Sequence, residues 1–176
     1  MNVQAELTDE VGRHYADLGA YIKFAYSWLE RGGLLEAFDG PESWVERLAD
    51  DVSNQVAKNA FDGVHPVPVI YVAVASGNGS AKSAFCGMIN NWIMSTRPMC
   101  RGTVSANTGA QLRTKTWPEI EKWTRFSITS DWFEIQADSV FHRGHDPKTE
   151  LDYKRSWACN AHTWNIGNTQ ASAGQH

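Results

Sequence analysis

The chain has 176 residues, 42% hydrophobic and 20% charged, a length and composition that fit one globular domain and exclude a disordered tract. Its formal charge of −4 argues against a small basic protein that coats nucleic acid by neutralising phosphates. The charge is uneven: residues 1–66 hold 12 acids and 5 bases, residues 67–106 hold Lys82, Arg97 and Arg101 and no acid, and residues 107–176 hold 8 of each, so an anion site is expected in the middle stretch.

Met1 to Glu10 is acidic and polar, unlike a signal peptide. Tyr15, Leu18, Tyr21, Ile22, Ala25, Trp28 and Leu29 recur at helical spacing and predict one helix stopped by Gly32-Gly33. Leu34, Leu35 and Phe38 form a short apolar patch before the turn Asp39-Gly40-Pro41. Trp44, Leu48, Val52 and Val56 predict a second helix from Pro41 to near Phe61. Val67 to Ala75 is β-branched and apolar on both faces, the pattern of a strand buried in a parallel sheet, with Pro68 at its start. At nine residues it is far short of the roughly 20 needed to cross a membrane, and no membrane partner is expected. Ser76-Gly77-Asn78-Gly79-Ser80-Ala81 is a loop of small residues, and Lys82 to Ser95 resumes helical periodicity. Gly102 to Ala106 reads as a strand. Thr116 with Glu119 forms a capping box before a helix through Trp117, Ile120 and Trp123. Trp132 to Gln136 and Val140 to His142 read as a hairpin, Trp157 to His162 as a last strand, and Asn168 to His176 as a polar tail.

Strand, small-residue loop, Lys-Ser and helix, in that order, make the architecture of a phosphate-binding loop. Small residues let backbone N–H groups turn toward phosphate oxygens, and the new helix offers unpaired N–H groups and the positive end of its dipole. Lys82 would place a point charge on the β- and γ-phosphates of ATP, and Ser83 a hydroxyl on Mg²⁺. The strict template is not met, because Ser76 and Ala81 stand at its two glycine positions. If position 81 needs a positive φ, its Cβ costs about 1 kcal/mol or more and crowds the phosphates. A plain chain reversal between strand and helix is the alternative reading of the loop.

The chemistry-bearing residues left over have simpler readings. Cys86, Cys100 and Cys159 have no metal or disulfide spacing. His142, His145 and Asp146 fall on a turn and do not form a ligand pattern. Glu119 and Glu121 stand at a helix start, as cap and dipole partners.

Longer stretches resemble the N-terminal ATPase region of bacteriophage terminase large subunits, the DNA-packaging motors. Phe38-Asp39-Gly40-Pro41-Glu42-Ser43-Trp44 is similar to the family's opening segment. Ala73 to Ala84 resembles its variant Walker A, SGHGIGKS, and Trp92-Ile93-Met94-Ser95-Thr96-Arg97-Pro98 follows in register. Ser105-Ala106-Asn107-Thr108, Gln111-Leu112 and Lys115-Thr116-Trp117 resemble the motif TANT-x-x-QL-x-x-KTW, and Trp157 to His176 the stretch before Walker B. Val45 stands where the family commonly has a glutamine, a candidate adenine contact.

The resemblance implies an α/β fold: a P-loop NTPase-type parallel sheet flanked by helices, with residues 1–66 as an N-terminal helical segment and residues 67–176 as a partial ATPase core that stops before Walker B. ATP and Mg²⁺ are the implied cofactors, with Ser76, Gly77, Asn78, Gly79, Ser80, Ala81, Lys82 and Ser83 around the nucleotide and Ser83 on the metal. Thr108 and Gln111 are implied in coupling nucleotide state to DNA movement. The implied partners are a terminase small subunit, a portal protein and double-stranded DNA in the cytoplasm of a bacterial host, with a homo-oligomer as a further expectation. Without the Walker B carboxylates, weak nucleotide binding and no hydrolysis are expected. The rival expectations are a non-catalytic decayed or interaction module, and a small P-loop kinase or other NTPase.

Overall fold

The computed structural model describes residues 3–61, 65–75, 81–145, 150 and 152–163. The first half is helical: α1 (Val3–Arg13), α2 (Leu18–Ala25) and α3 (Ser43–Asn59). The first apolar repeat therefore covers a shorter helix than its spacing predicts. Asp17 caps α2 by accepting from the Ala20 N–H at 2.8 Å. The helix stops at Ala25 because Tyr26 turns extended and bridges Ser127. Trp28 stays in phase with the helix for another reason. Its Nε1 donates to the Ile22 carbonyl at 2.9 Å, which satisfies an end of α2, and its ring packs near Trp123.

The long central helix α4 (Lys82–Thr96) leads into β1 (Arg101–Ala106). A one-turn helix α5 (Gly109–Gln111), a π-helical turn over Leu112–Thr116 and α6 (Trp117–Phe126) follow without a break. The expected capping box at Thr116 does not form. Thr116 is already helical, and Thr108 caps instead, with its hydroxyl accepting from the Gln111 N–H. Pro118 supplies the reason for the π turn. It has no N–H for the Thr114 carbonyl, so the ladder before it widens and the Trp117 N–H reaches back to Leu112. Glu119 is thereby released to receive the Trp123 indole N–H and the Lys122 ammonium, and Glu121 pairs with Arg125.

Strands β2 (Phe133–Ile135), β3 (Ser139–His142) and β4 (Ala158–Thr163) complete one sheet in the order β1-β4-β3-β2. The sheet is mixed and not parallel throughout: β1 and β4 run parallel, while β4–β3 and β3–β2 are antiparallel. The fold is thus α/β, with helices flanking a four-stranded mixed sheet.

Two apolar clusters hold it together. One joins Leu18, Tyr21 and Ile22 of α2 to Val45, Ala49, Phe85, Met88, Trp92 and Trp123. The other packs Met94, Trp117 and Ile120 on the sheet residues Phe133, Val140 and Cys159. Between α2 and α4 lies a buried polar knot. Asn91 accepts from the Tyr21 hydroxyl at 2.7 Å, and Thr129 contacts Ser95 and Ser127 at 2.9 Å each.

The largest departure from expectation is Val67 to Ala75. The segment has no regular secondary structure and joins no strand among the described residues, and all of it except Ile70 is exposed. A strand apolar on both faces is buried only where neighbours cover both, and among the described residues no strand lies beside it. At its foot the Asn59 side chain donates to the Pro68 carbonyl at 2.8 Å.

Candidate functional site

Helix α4 begins abruptly. Ala81 precedes it in the left-handed conformation, φ 52° and ψ 15°, and offers no side-chain cap. The first helical hydrogen bond is Phe85 N–H to the Ala81 carbonyl at 2.9 Å. The N–H groups of Lys82, Ser83 and Ala84 therefore have no acceptor within the helix, and no acid stands in its first turn. The strain expected at position 81 is present: a Cβ sits where glycine is the natural residue.

Beside this helix start lies a cavity of about 460 Å³. Ala81, Ala84 and Met88 of the α4 side form one wall, and Trp123 and Phe126 of α6 another. The third is the loop after α2, with Trp28, Leu34, Leu35 and Phe38. Local hydrogen bonds shape that loop. Leu29, at φ 57°, donates to both the Leu35 and Phe38 carbonyls, and the Gly32 N–H is held by the Glu36 carboxylate. Leu34 and Phe38 remain 77% and 55% exposed, so the rim presents apolar surface to solvent. Val45 closes the floor and is fully buried.

Among the described residues, two charged side chains reach the cavity. Lys122 is paired with Glu119 at 2.7 Å, and Glu42 accepts from the Trp44 indole at 2.8 Å. Such a space, with aromatic walls, few polar groups and a helix N-terminus next to it, suits a flat aromatic ring carrying an anionic tail.

The expected site residues fall into three groups. Ala81, Lys82 and Ser83 stand at the start of α4, next to the cavity. Ser76, Gly77, Asn78, Gly79 and Ser80 lie outside the described residues. Thr108 and Gln111 form the cap of α5 and do not line the cavity. The basic middle stretch does not converge on one place. Arg97 ends α4, about 20 Å from Lys82 along the helix axis. Its guanidinium is sandwiched between the rings of Tyr15 at 4.3 Å and Trp92 at 4.0 Å, and it donates to the Tyr15 carbonyl and the Thr96 hydroxyl. Burial pulls its pKa down from the ordinary arginine value.

Burial likewise pushes the Cys100 thiol up to about 11 and the Cys159 thiol up to about 12, so neither is a thiolate nucleophile. His142 has a structural place: its ring stacks on Trp157 at 4.1 Å and its Nδ1 accepts from the Gly144 N–H at 3.0 Å. Among the described residues there is no group of three or more His, Cys, Asp or Glu side chains placed to hold a metal.

Sequence reasoning missed the cavity walls. Trp28 and Trp123 read as helix-face residues, and Leu34, Leu35 and Phe38 as a small apolar patch. The available signal was that this patch lies between two glycine turns, where nothing local could bury it.

Comparison with protein-family models, curated proteins and solved structures finds no match to the chain. Among the described residues, no helix is long and apolar enough to cross a membrane.

Proposed function

We propose that the chain binds a nucleoside triphosphate, ATP with Mg²⁺, at the start of α4, and that it does so as the ATP-binding region of a terminase-type DNA-packaging motor. The observation that carries the binding reading is the aromatic cavity lying directly against the first turn of α4. The residues present fit the group. Trp28, Phe38, Trp123 and Phe126 give a base flat surfaces to stack on, and the positive end of the α4 dipole would attract the phosphates. Lys82 would hold the outer phosphates. Ser83 would supply one hydroxyl to Mg²⁺, an ion that takes its remaining ligands mostly from phosphates and water. Bound Mg²⁺ would neutralise charge on the phosphate oxygens. The chain's own contribution is to seat the base, orient the phosphates and exclude water from the apolar side of the cavity. Ala81 weakens this binding, because its strained backbone and its Cβ both stand at the phosphate end.

The motor assignment is supported by the in-register resemblance from Phe38 to Trp117. With it come a small subunit, a portal protein and double-stranded DNA as partners, a P-loop type of sheet as the complete fold, and the bacterial cytoplasm as the setting.

Titration with a fluorescent ATP analogue tests the binding. Lys82→Ala is expected to abolish it and Ala81→Gly to tighten it severalfold. Trp123→Ala should weaken binding without restoring the strained loop. Equal affinity across the variants would remove the start of α4 from the account.

A further inference from the structure

We propose that Glu119 sets the polarity of the cavity: by neutralising Lys122 and fixing the Trp123 indole it makes the α6 side a flat, uncharged seat for a ring, so that an anionic tail seats only at the start of α4. This inference rests on the nucleotide reading above and names what orients the nucleotide within that site. Glu119 does not itself line the cavity; it acts through two residues that do, and is a positioning residue.

Helix spacing creates the arrangement. Glu119, Lys122 and Trp123 stand at i, i+3 and i+4 of α6, so their side chains meet on one face. The Lys122 ammonium donates to both carboxylate oxygens, at 2.8 Å and 2.7 Å, and Trp123 Nε1 donates to one of them at 3.0 Å. One carboxylate, with a side chain only 27% exposed, thus holds a cation and a ring together. Glu121 and Arg125, paired at 2.9 Å on the same helix, show the ordinary surface case: both are more exposed and neither lines the cavity.

The pairing hides a competing anion anchor. Among the described residues that line the cavity, Lys122 is the one cation. Unpaired, it would draw a phosphate chain toward α6, because an ammonium in a space of low polarity attracts an anion more strongly than in water. Paired with Glu119, it presents almost no net charge. Glu42, the other charged residue of the lining, is a carboxylate and repels an anion. The positive end of the α4 dipole is then the favourable place for the tail. The ring that Glu119 holds supplies the opposite end. Trp123 stands edge-on to Tyr26 at 5.1 Å and to Phe126 at 6.1 Å, and tilted against Trp28 at 6.2 Å, so its plane is set before a ligand arrives.

Titration with the fluorescent ATP analogue reads this as suppression. Lys82→Ala alone is expected to abolish binding. In Glu119→Gln the amide oxygen still accepts from Trp123, while Lys122 becomes an unneutralised cation. The double variant Lys82→Ala/Glu119→Gln should therefore bind again, about tenfold or more tightly than Lys82→Ala. Adding Lys122→Met should remove the regained binding. Glu121→Gln makes the same change in net charge elsewhere on α6 and should give no suppression; a merely structural role for Glu119 predicts none from Glu119→Gln either. Inorganic triphosphate, competing with the analogue, reports the tail alone and should bind Glu119→Gln about tenfold better than the wild type. Glu119→Met is a second route that does not depend on the amide: it also frees Lys122 and should suppress Lys82→Ala, but it loses the indole acceptor and should hold the analogue less tightly than Glu119→Gln. Wild-type binding with no suppression by either Glu119 variant, or equal suppression by Glu121→Gln, overturns this proposal and leaves the nucleotide reading standing. No wild-type binding, or wild-type binding indifferent to Lys82→Ala, removes both.

Discussion

Gly87 sits one turn and a half into α4, where that helix crosses α6. A Cβ added there would lie 2.7 Å from the Glu119 carbonyl oxygen, 2.7 Å from Trp123 Cδ1 and 3.0 Å from Trp123 Cβ. Ordinary contact begins near 3.4 Å, so Gly87→Ala requires the two helices to part by about 0.7 Å. The carbonyl belongs to the backbone of α6 and cannot rotate aside, and Trp123 is buried between Tyr26 and Phe126. Overpacking of this kind costs about 1–3 kcal/mol, and the rigid neighbours place this site at the upper end. Removing a helical glycine returns about 1 kcal/mol. The net expectation is a loss of about 2 kcal/mol, which for a domain of this size lowers Tm by roughly 4–8 °C. Gly12 in α1 has nothing within 4 Å of its added Cβ, so Gly12→Ala should gain about 0.5 kcal/mol. Thermal and urea unfolding of the two variants measure both terms. Because Trp123 also walls the cavity, Gly87→Ala should weaken binding of the ATP analogue as well. If Gly87→Ala is as stable as Gly12→Ala, the close crossing of α4 and α6 is wrong, and with it the shape of the cavity.

Relief of the positive φ at Ala81 should make Ala81→Gly about 1 kcal/mol more stable by urea unfolding, independently of any nucleotide; an unchanged midpoint would place that residue outside the left-handed region. Asn91→Ala should cost about 3 kcal/mol, since it leaves the Tyr21 hydroxyl without its acceptor in a fully buried site. Asn90→Ala should cost clearly less, because the Asn90 amide nitrogen has no hydrogen-bond partner among the described residues. Burial lowers the pKa of His142, so the unfolded chain takes up the proton first as pH falls. The contribution of His142 to stability is therefore complete above about pH 6.5, declines as pH drops from there toward the depressed folded value, and is flat below it. Urea unfolding between pH 8 and pH 5 should show this decline, and His142→Phe, which keeps a ring on Trp157, should reduce it; identical pH profiles would contradict the neutral, hydrogen-bonded ring.

Much of the fold could be read locally. The helix at 82–96, the hairpin at 133–142 and the last strand at 158–163 follow from periodicity and turn residues acting over a few positions. The errors share a cause: partners distant in sequence decided the outcome. Trp28 repeats in helical phase, yet α2 ends at Ala25 because Ser127 takes Tyr26 into a bridge. Thr116 and Glu119 have the spacing of a capping box, yet Thr108 had already started the helix eight residues earlier. The β-branched run at 67–75 has every local mark of a buried strand, but burial needs neighbours that the run does not itself encode.

The candidate site divides in the same way. The helix-start side was legible because it is made of adjacent residues: a helix start, Lys82, Ser83 and the strained position before them. The aromatic cavity was not, because its walls come from residues 28–45, 81–88 and 122–126, and no short pattern joins them. Ala81 connects the two halves. It forms part of the cavity wall and also sets the left-handed turn from which α4 departs, so a single substitution there changes both the space for a ring and the direction of the helix N–H groups. If the two halves serve one ligand, Ala81→Gly and Trp123→Ala should be non-additive in their effect on nucleotide affinity, as expected for residues that share a bound molecule. Strict additivity would mean that the cavity and the helix start act separately, and the aromatic cavity would then have to be explained without the nucleotide.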